Sequence, residues 1–295
     1  MHPAPSVIVF TTLAGLGFGF LAFLGAGWPA PTGWAAFWQF ALGYALAVGG
    51  LAASAAHLGH PERALRAFTQ WRSSWLSREA VLSVAALLTL GVHAGASVFL
   101  GRPLPALGWI GAALALATVL ATAMIYTQLR TVPRWHQWAT PALFVALALA
   151  GGAILAGHRW PAVALLLIAG ALTWRHWQAG DRRLEQSGSM LATATGLEGG
   201  TVRPFEPPHT GRNYLLDEMV FRVGRKHARR LRALALIFMV LLPVVLLALF
   251  AAPWPVRIVA VLFHLVGVLA QRWLFFAEAE HVVGLYYGKD AARVA

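Results

Sequence analysis

Long apolar stretches alternate with short polar connectors along most of this 295-residue chain. A helix needs roughly 20 mostly apolar residues to cross the hydrocarbon core of a bilayer. Eight stretches meet this requirement, and short connectors rich in glycine and proline, which favour antiparallel neighbours, separate several of them. The pattern therefore predicts an all-α polytopic membrane protein, a single domain over 1–295 built as an eight-helix bundle. The predicted spans lie near 7–26, 36–58, 79–100, 106–129, 138–157, 161–178, 233–252 and 256–276, with a long loop at 179–232.

The composition supports a membrane protein and narrows its chemistry. Hydrophobic residues make up 59% of the chain and charged residues only 12%, whereas soluble domains average roughly 25% charged residues. The chain has no cysteine, which excludes disulfides, thiolate metal sites and iron–sulfur clusters held by this chain alone. Electron chemistry would therefore need histidine-ligated haem, a quinone, or a cofactor carried by a partner. The first apolar run lacks a preceding basic region, so we expect a retained helix and not a cleaved signal peptide.

The distribution of basic residues predicts how the bundle is oriented. The net charge is +12. Eight spans place twenty lysines and arginines on the side of both termini, and only Arg102, Arg159 and Arg257 on the other. Basic loops stay in the cytoplasm, so we expect a multi-pass protein of the bacterial inner membrane with both termini and the 179–232 loop cytoplasmic. Since the basic residues lie beside membrane spans, we expect lipid and protein contacts and no nucleic acid.

The second half of the long loop, 213–232, contains a basic segment with apolar residues at helical spacing. It fits an amphipathic helix on the cytoplasmic interface. It equally fits an extension of the seventh span.

The connector between the second and third spans concentrates ionisable residues beside two apolar runs. His57 and His60 are three residues apart at the end of span two, so they share a helix face. Glu79 opens span three behind Ser77, a candidate N-cap. His57 and Glu79 should therefore lie at similar depth, where an imidazole and a carboxylate can exchange protons with a quinone. The alternatives are an interhelical hydrogen bond for His57, and helix capping with an ion pair for Glu79.

Other polar residues end spans on the same side. Tyr126 closes span four and could donate a hydrogen bond to a quinone carbonyl, or anchor the helix at the interface. Arg272, Glu278, Glu280 and His281 end span eight. These four residues could form a charge network with the loops or part of a proton entry path.

Two histidines inside spans, His93 and His264, raise the question of haem. Two facing histidines can ligate a haem iron. The pair lacks a supporting spacing motif, so we expect neither haem nor another metal site in this chain.

Four stretches of the sequence resemble the membrane anchor of the dimethyl sulfoxide reductase family. They are HPAPSVIVFTTLAGLGFG, HLGHPERALRAF with WRSSWLSRE, MIYTQLRTVPRWHQWATP, and RWLFFAEAEHVVGLYYG. The resemblance implies an eight-helix anchor without haem that exchanges electrons with the ubiquinone or menaquinone pool. It also implies two partners, a molybdopterin catalytic subunit and a four-cluster iron–sulfur subunit. The family's quinol-binding histidine and glutamate fall on His57 and Glu79, and an arginine of its motif falls on Arg63.

Orientation separates two branches of that family. The dimethyl sulfoxide reductase anchor is generally drawn with its partners on the periplasmic side, but the arginines here predict a cytoplasmic side. The membrane subunit of quinone-linked cytoplasmic sulfite dehydrogenase has that arrangement, so we favour electron transfer from sulfite to quinone. The alternatives are a quinol-oxidising anchor of the dimethyl sulfoxide reductase type, a proton or ion transporter, and a docking platform without a quinone site.

Overall fold

The computed structural model describes residues 3–56, 60–197, 200, 202–203, 205–206, 227–250 and 252–287. The part of the chain that it describes contains helices and turns but no strand. The helices are α1 (Pro5–Gly25), α2 (Gly33–Ala55), α3 (Trp75–Phe99), α4 (Pro105–Thr127), α5 (Ala139–Ala156), α6 (Arg159–Gln186), α7 (Leu191–Thr195), α8 (Ala228–Leu236), α9 (Leu242–Leu249) and α10 (Trp254–Ala277). Two 3₁₀ segments, Pro61–Phe68 and Val282–Tyr287, and one π-helical segment, Ile237–Leu241, complete the order.

Within the described residues, seven helices are long and apolar enough to cross a membrane, α8 and α9 counting as one through the π-helical segment. The prediction of an all-α protein with several membrane spans is therefore confirmed, but the predicted number of eight spans is not. The predicted span 161–178 lies inside α6, a 28-residue helix whose second half carries Arg175, His176 and Asp181. These polar residues lower its mean hydropathy, and the helix continues past the predicted start of the long loop at 179.

Helix α1 lies at the centre of the bundle and packs against α2, α4, α5 and α10. Its close contacts need glycine. A Cβ on Gly19 would lie 1.9 Å from the carbonyl oxygen of Ala148 on α5, and a Cβ on Gly17 would lie 2.3 Å from the backbone nitrogen of Ala47 on α2. Small residues let membrane helices approach until their backbones touch, so the glycines of α1 set its position.

The π-helical segment between α8 and α9 is supported from α10. The Nδ1 atom of His264 lies 2.8 Å from the carbonyl oxygen of Met239, and because that oxygen only accepts, Nδ1 donates this hydrogen bond. A Cβ on Gly267 would lie 2.1 Å from the backbone nitrogen of Met239. The π-helical segment and α10 are therefore in backbone contact at this level.

Hydrogen bonds tie specific helix ends together at the two ends of the bundle. The indole Nε1 of Trp135, which follows α4, donates to the carbonyl oxygen of Phe275 on α10 at 2.9 Å. The amide of Val282 donates to the carbonyl oxygen of Thr131 at 2.9 Å. At the opposite end, Arg159 donates to backbone oxygens at the end of α9. The connector after α4 and the end of α10 thus share one end of the bundle, as the alternating spans predict.

Candidate functional site

Glu79 lies on α3 near the end of the bundle that the sequence predicts to be cytoplasmic. Helix α3 begins at Trp75, and its N-cap is Ser74, whose hydroxyl accepts a hydrogen bond from the amide of Ser77 at 3.4 Å. The expectation that Ser77 is the N-cap is therefore wrong by one turn, because Ser74 is the residue that satisfies a free amide of the first turn. Glu79 consequently sits about 6 Å inside the helix and is buried, with 5% of its surface exposed.

Thr122 on α4 holds the Glu79 carboxylate. Its hydroxyl donates a hydrogen bond to Oε1 of Glu79, and it also lies 3.1 Å from the carbonyl oxygen of Thr118 in its own helix. Helices α3 and α4 pack against each other along their length. A carboxyl group buried among membrane helices needs such a partner, because an unsatisfied polar group there is costly.

Tyr126 follows Thr122 by one helical turn and lies in an aromatic cluster. Its ring centroid is 5.3–5.9 Å from those of Trp135, Phe144, Phe275 and Phe276. Only 9% of its surface is exposed. The ring is therefore part of the buried core at this end of α4. Its side chain also lies near those of Glu79 and Arg272.

Arg272 places a guanidinium inside the bundle, five residues before the end of α10. The residue is 2% exposed, and its guanidinium carbon lies 3.4 Å from the centroid of Phe144. A cation over an aromatic face gains some electrostatic attraction. Nevertheless, Nε and Nη1 have no hydrogen-bond partner among the described residues. A buried positive charge with unused donors is characteristic of a functional position in membrane proteins.

A narrow cavity lies beside Thr122 and Arg272 and is also lined by residues of α1 and α5. Its volume is about 20 Å³. Such a space can hold about one water molecule. Its polar lining consists of Thr11 and Thr12 on α1, Thr122 on α4, and His264 and Arg272 on α10.

Five polar residues lie at a similar depth in the bundle and form a layer, which we call the polar layer: Thr11, Thr12, Glu79, Thr122 and Arg272. Each lies roughly 6–10 Å from the nearer end of its helix, at 1.5 Å per residue. The shared cavity and the Thr122–Glu79 bond show that these helix ends belong to the same end of the bundle. The fold therefore gathers polar groups from α1, α3, α4 and α10 in an otherwise apolar interior.

The predicted site residues do not all lie at one place. The structure brings Glu79, Tyr126 and Arg272 together around Thr122. His57 lies outside the described residues, as does most of the predicted amphipathic helix. His60 and Arg63 are exposed, at the start of the 3₁₀ segment that connects α2 to α3.

Two further predicted residues lie beyond the polar layer. Glu280 and His281 are half-buried after the end of α10, and Nδ1 of His281 accepts a hydrogen bond from the amide of Val283 at 3.0 Å. This bond holds the turn that leads into the last 3₁₀ segment.

A charge network does form at the end of α10, around Glu278. Arg232 Nη2 lies 2.8 Å from Glu278 Oε1 and 2.6 Å from Asp181 Oδ1, and Arg134 Nη2 lies 2.7 Å from that same Asp181 oxygen. Burial alone would raise the pKa of Asp181, but hydrogen bonds from Arg232 and Arg134 outweigh it and lower the pKa to about 2. For Glu278 burial is the larger effect and raises its pKa, although both guanidinium groups oppose the increase. The network joins α6, α8, α10 and the connector after α4.

Thr11, Thr12 and Thr122 were not anticipated from the sequence. A threonine inside an apolar helix usually bonds the backbone of its own helix, as Thr118 does with Leu114 at 2.9 Å. The available signal was the position of Thr122, one turn before Tyr126, which puts both on one face.

The two histidines considered for haem contact backbone groups. His93 Nδ1 lies 3.0 Å from the carbonyl oxygen of Leu104 and 3.2 Å from its amide nitrogen, and His264 contacts the backbone of Met239. Within the described ranges there is no group of three or more histidine, aspartate and glutamate side chains that could hold a metal ion.

Comparisons with known proteins agree with this architecture. Residues 2–169 match the family model described as DMSO reductase anchor subunit (DmsC). The chain is also 32% identical to a sulfite dehydrogenase subunit of Allochromatium vinosum, over 97% of this chain and 99% of that protein. No solved structure matches the chain. A match over more than half of the chain, together with a relative aligned along almost its whole length, shows that the protein belongs to the DMSO reductase anchor subunit family.

Proposed function

We propose that this chain is the quinone-reactive membrane anchor of a molybdopterin and iron–sulfur oxidoreductase complex that passes electrons from sulfite oxidation to the quinone pool. Oxidation of sulfite with water gives sulfate, two electrons and two protons. Reduction of a quinone takes up two electrons and two protons and gives a quinol. In this scheme the partner proteins carry the electrons to the membrane, and the anchor provides the binding site and the protons.

The observation that carries the proposal is the buried Glu79 carboxyl group, bonded to Thr122 within a turn or two of the predicted cytoplasmic end. A carboxyl group at this depth can take a proton from the aqueous side and release it to a ligand inside the bundle. Its surroundings fit a quinone. Tyr126 and Arg272 supply hydrogen-bond donors for carbonyl oxygens, and Phe144 with its aromatic neighbours supplies an apolar lining of the kind found in ligand sites.

Each of these residues has a distinct role in the proposal. Glu79 holds and transfers the proton, and Thr122 keeps its carboxyl group oriented. Tyr126 and Arg272 orient the ring through its oxygens. His57, which the family resemblance implicates beside Glu79, would supply a second proton-exchanging group.

The relative in Allochromatium vinosum supports sulfite as the electron source, and the arginine distribution supports partners on the cytoplasmic face. The proposed complex therefore has a molybdopterin subunit and a four-cluster iron–sulfur subunit on that face, at the bacterial inner membrane. The exposed basic connectors there, which include Arg63 and Arg130, suit an acidic docking surface.

The family model also supports a second candidate, a quinol-oxidising anchor of the dimethyl sulfoxide reductase type. The same residues would serve it, because the proton moves in the opposite direction when quinol is oxidised. Assaying the purified complex with sulfite plus quinone, and with dimethyl sulfoxide plus quinol, distinguishes the two.

The decisive experiment for a quinone-reactive anchor is the Glu79→Gln variant in the complete complex. We expect it to assemble normally, to retain sulfite oxidation with an artificial dye, and to lose most sulfite-to-quinone turnover. Glu206→Gln, which changes an exposed carboxyl group of the long loop, is the matched control and should keep both activities. Full quinone turnover in Glu79→Gln would contradict the proposal.

A further inference from the structure

The cavity beside the polar layer, which we call the crevice, is lined by residues of α1, α4, α5 and α10. Its lining includes Gly15 on α1 and Leu265 on α10, both partly exposed on the outside of the bundle. A Cβ added to Gly15 would meet no atom within 4 Å. Thr122, Phe144 and Arg272 are buried at the other end. The crevice thus has a mouth at Gly15 and a closed end at Arg272.

The mouth lies near the middle of the predicted membrane. Gly15 is ten residues from the start of α1, and Leu265 is twelve residues from the end of α10, which corresponds to roughly 15 and 18 Å. A hydrocarbon core is about 30 Å thick. The mouth therefore opens toward the lipid interior, where a hydrophobic ligand resides, and the closed end reaches the polar layer nearer the aqueous side.

The closed end contains hydrogen-bond donors that lack an acceptor among the described residues. Arg272 is nine-tenths or more buried, lines the crevice, and has Nε and Nη1 without hydrogen-bond partners among the described residues. Phe144 contacts the face of the guanidinium but accepts no conventional hydrogen bond from it. A buried cation is stable when an acceptor or an anion uses its donors, so the geometry calls for an oxygen ligand at this position.

We propose that this crevice is the route by which a quinone ring enters from the membrane, and that Arg272 binds a ring carbonyl oxygen at its closed end. The inference rests on the proposed function and assigns it a site and an entry side. The ligand's hydrocarbon tail would remain at the mouth beside Gly15. The crevice is narrow, so the lining side chains must separate to admit the ring.

The absence of cysteine from the chain makes the mouth directly testable. A Gly15→Cys variant of the complete complex carries a single thiol in this subunit, which a membrane-soluble maleimide can label. We expect decylubiquinone to slow this labelling. Gly49→Cys is the matched control, since Gly49 also faces open space but lies on the outer face of α2; its labelling should not change.

The closed end is tested by adding Arg272→Gln or Arg272→Lys to the Gly15→Cys background. The concentration of decylubiquinone that halves the labelling rate should rise about tenfold in Arg272→Gln, as expected for a lost hydrogen bond to a charged group. The increase should be smaller in Arg272→Lys, which keeps the charge. Arg257→Gln, near the opposite end of the same helix, should leave this concentration unchanged.

The outcomes separate this inference from the proposed function. Equal protection at positions 15 and 49, no protection at position 15, or an unchanged half-protecting concentration in Arg272→Gln each overturns the crevice site. If Glu79→Gln still blocks quinone turnover in that case, the anchor's function stands and its quinone binds elsewhere. Labelling of the Gly15→Cys protein alone needs no change at Arg272, so the entry route is tested even if the arginine variants do not assemble.

Discussion

Thr122 on α4 donates a hydrogen bond to the carboxylate of Glu79 on α3. The two residues are 43 positions apart in the chain, and both are buried in the polar layer. The bond links the helix pair that carries the predicted proton-exchanging group. It also fixes the direction in which the carboxyl group points.

Replacing Thr122 with valine keeps the shape and removes this donor. A buried acceptor left without a partner costs about 1–3 kcal/mol, so thermal unfolding in detergent should occur at a lower temperature. Sulfite-to-quinone turnover should also fall, because the carboxyl group loses its orientation. Thr118→Val is the control, since that hydroxyl donates to the carbonyl oxygen of Leu114 in its own helix. Equal effects at both positions would contradict a specific role for Thr122.

Gly19 on α1 lies in close contact with the backbone of α5. Gly19→Ala would bring a Cβ to 1.9 Å from the carbonyl oxygen of Ala148. The helices must then separate, and we expect a large loss of folded protein, measured as recovery of monodisperse complex after solubilisation. Gly49→Ala adds the same methyl group into open space. It should stabilise α2 slightly, by up to about 1 kcal/mol. Similar recovery of the two variants would argue against close packing at Gly19.

Asp181 should make stability depend on pH. Its pKa in the folded protein is lowered to about 2 from 3.8, so its ionised form is favoured by folding. This contribution is complete above about pH 5 and is lost as the pH falls through about 4 toward 2. The difference in unfolding temperature between the wild type and Asp181→Asn should therefore be largest near neutral pH and shrink at about pH 3. Because the carboxylate is partly exposed, we expect this difference to decrease in high salt.

The control for this pH effect is Glu206→Gln, which removes an exposed carboxyl group. Its difference from the wild type should stay small and constant over the same pH range. A constant difference for Asp181→Asn as well would show that the arginine contacts do not stabilise the fold.

Arg159 caps α9 from the neighbouring helix α6. Its Nε donates to the carbonyl oxygen of Leu247 and its Nη2 to that of Ala248, both at 2.6 Å. Lysine keeps the charge but cannot donate the same pair of hydrogen bonds from a planar guanidinium. Arg159→Lys should therefore cost about 1 kcal/mol, seen as a lower unfolding temperature. Arg102→Lys, at an exposed residue of the connector before α4, should have no measurable effect.

The residues of the candidate site were only partly recognisable from the sequence. Glu79, Tyr126 and Arg272 stand out as ionisable or phenolic groups beside apolar runs, and the structure brings these three together. His60 and Arg63 share the same polar connector, yet they lie on an exposed 3₁₀ segment. Sequence distance could not separate the two groups, because the position of a connector relative to the helix ends depends on packing.

The start of α3 shows why helix boundaries predicted from the sequence can be wrong. Ser74 and Ser77 are both plausible N-caps on local grounds. The structure selects Ser74 through its bond to the Ser77 amide, which moves Glu79 one turn deeper into the bundle. That shift places Glu79 level with Thr122.

By itself, the sequence determined that this protein is an all-helical membrane bundle, which of its residues are ionisable in an apolar setting, and which family it resembles. These properties follow from the length of the apolar stretches and from the local residue pattern, because a bilayer requires spans of a set length and internally bonded helices. Tertiary structure alone decided that α1 is central, that Thr122 meets Glu79, and that Arg272 faces a crevice open at Gly15. Helix neighbours in a membrane are selected by backbone approach at small residues and by pairing of polar groups, and these contacts join positions that no local pattern connects.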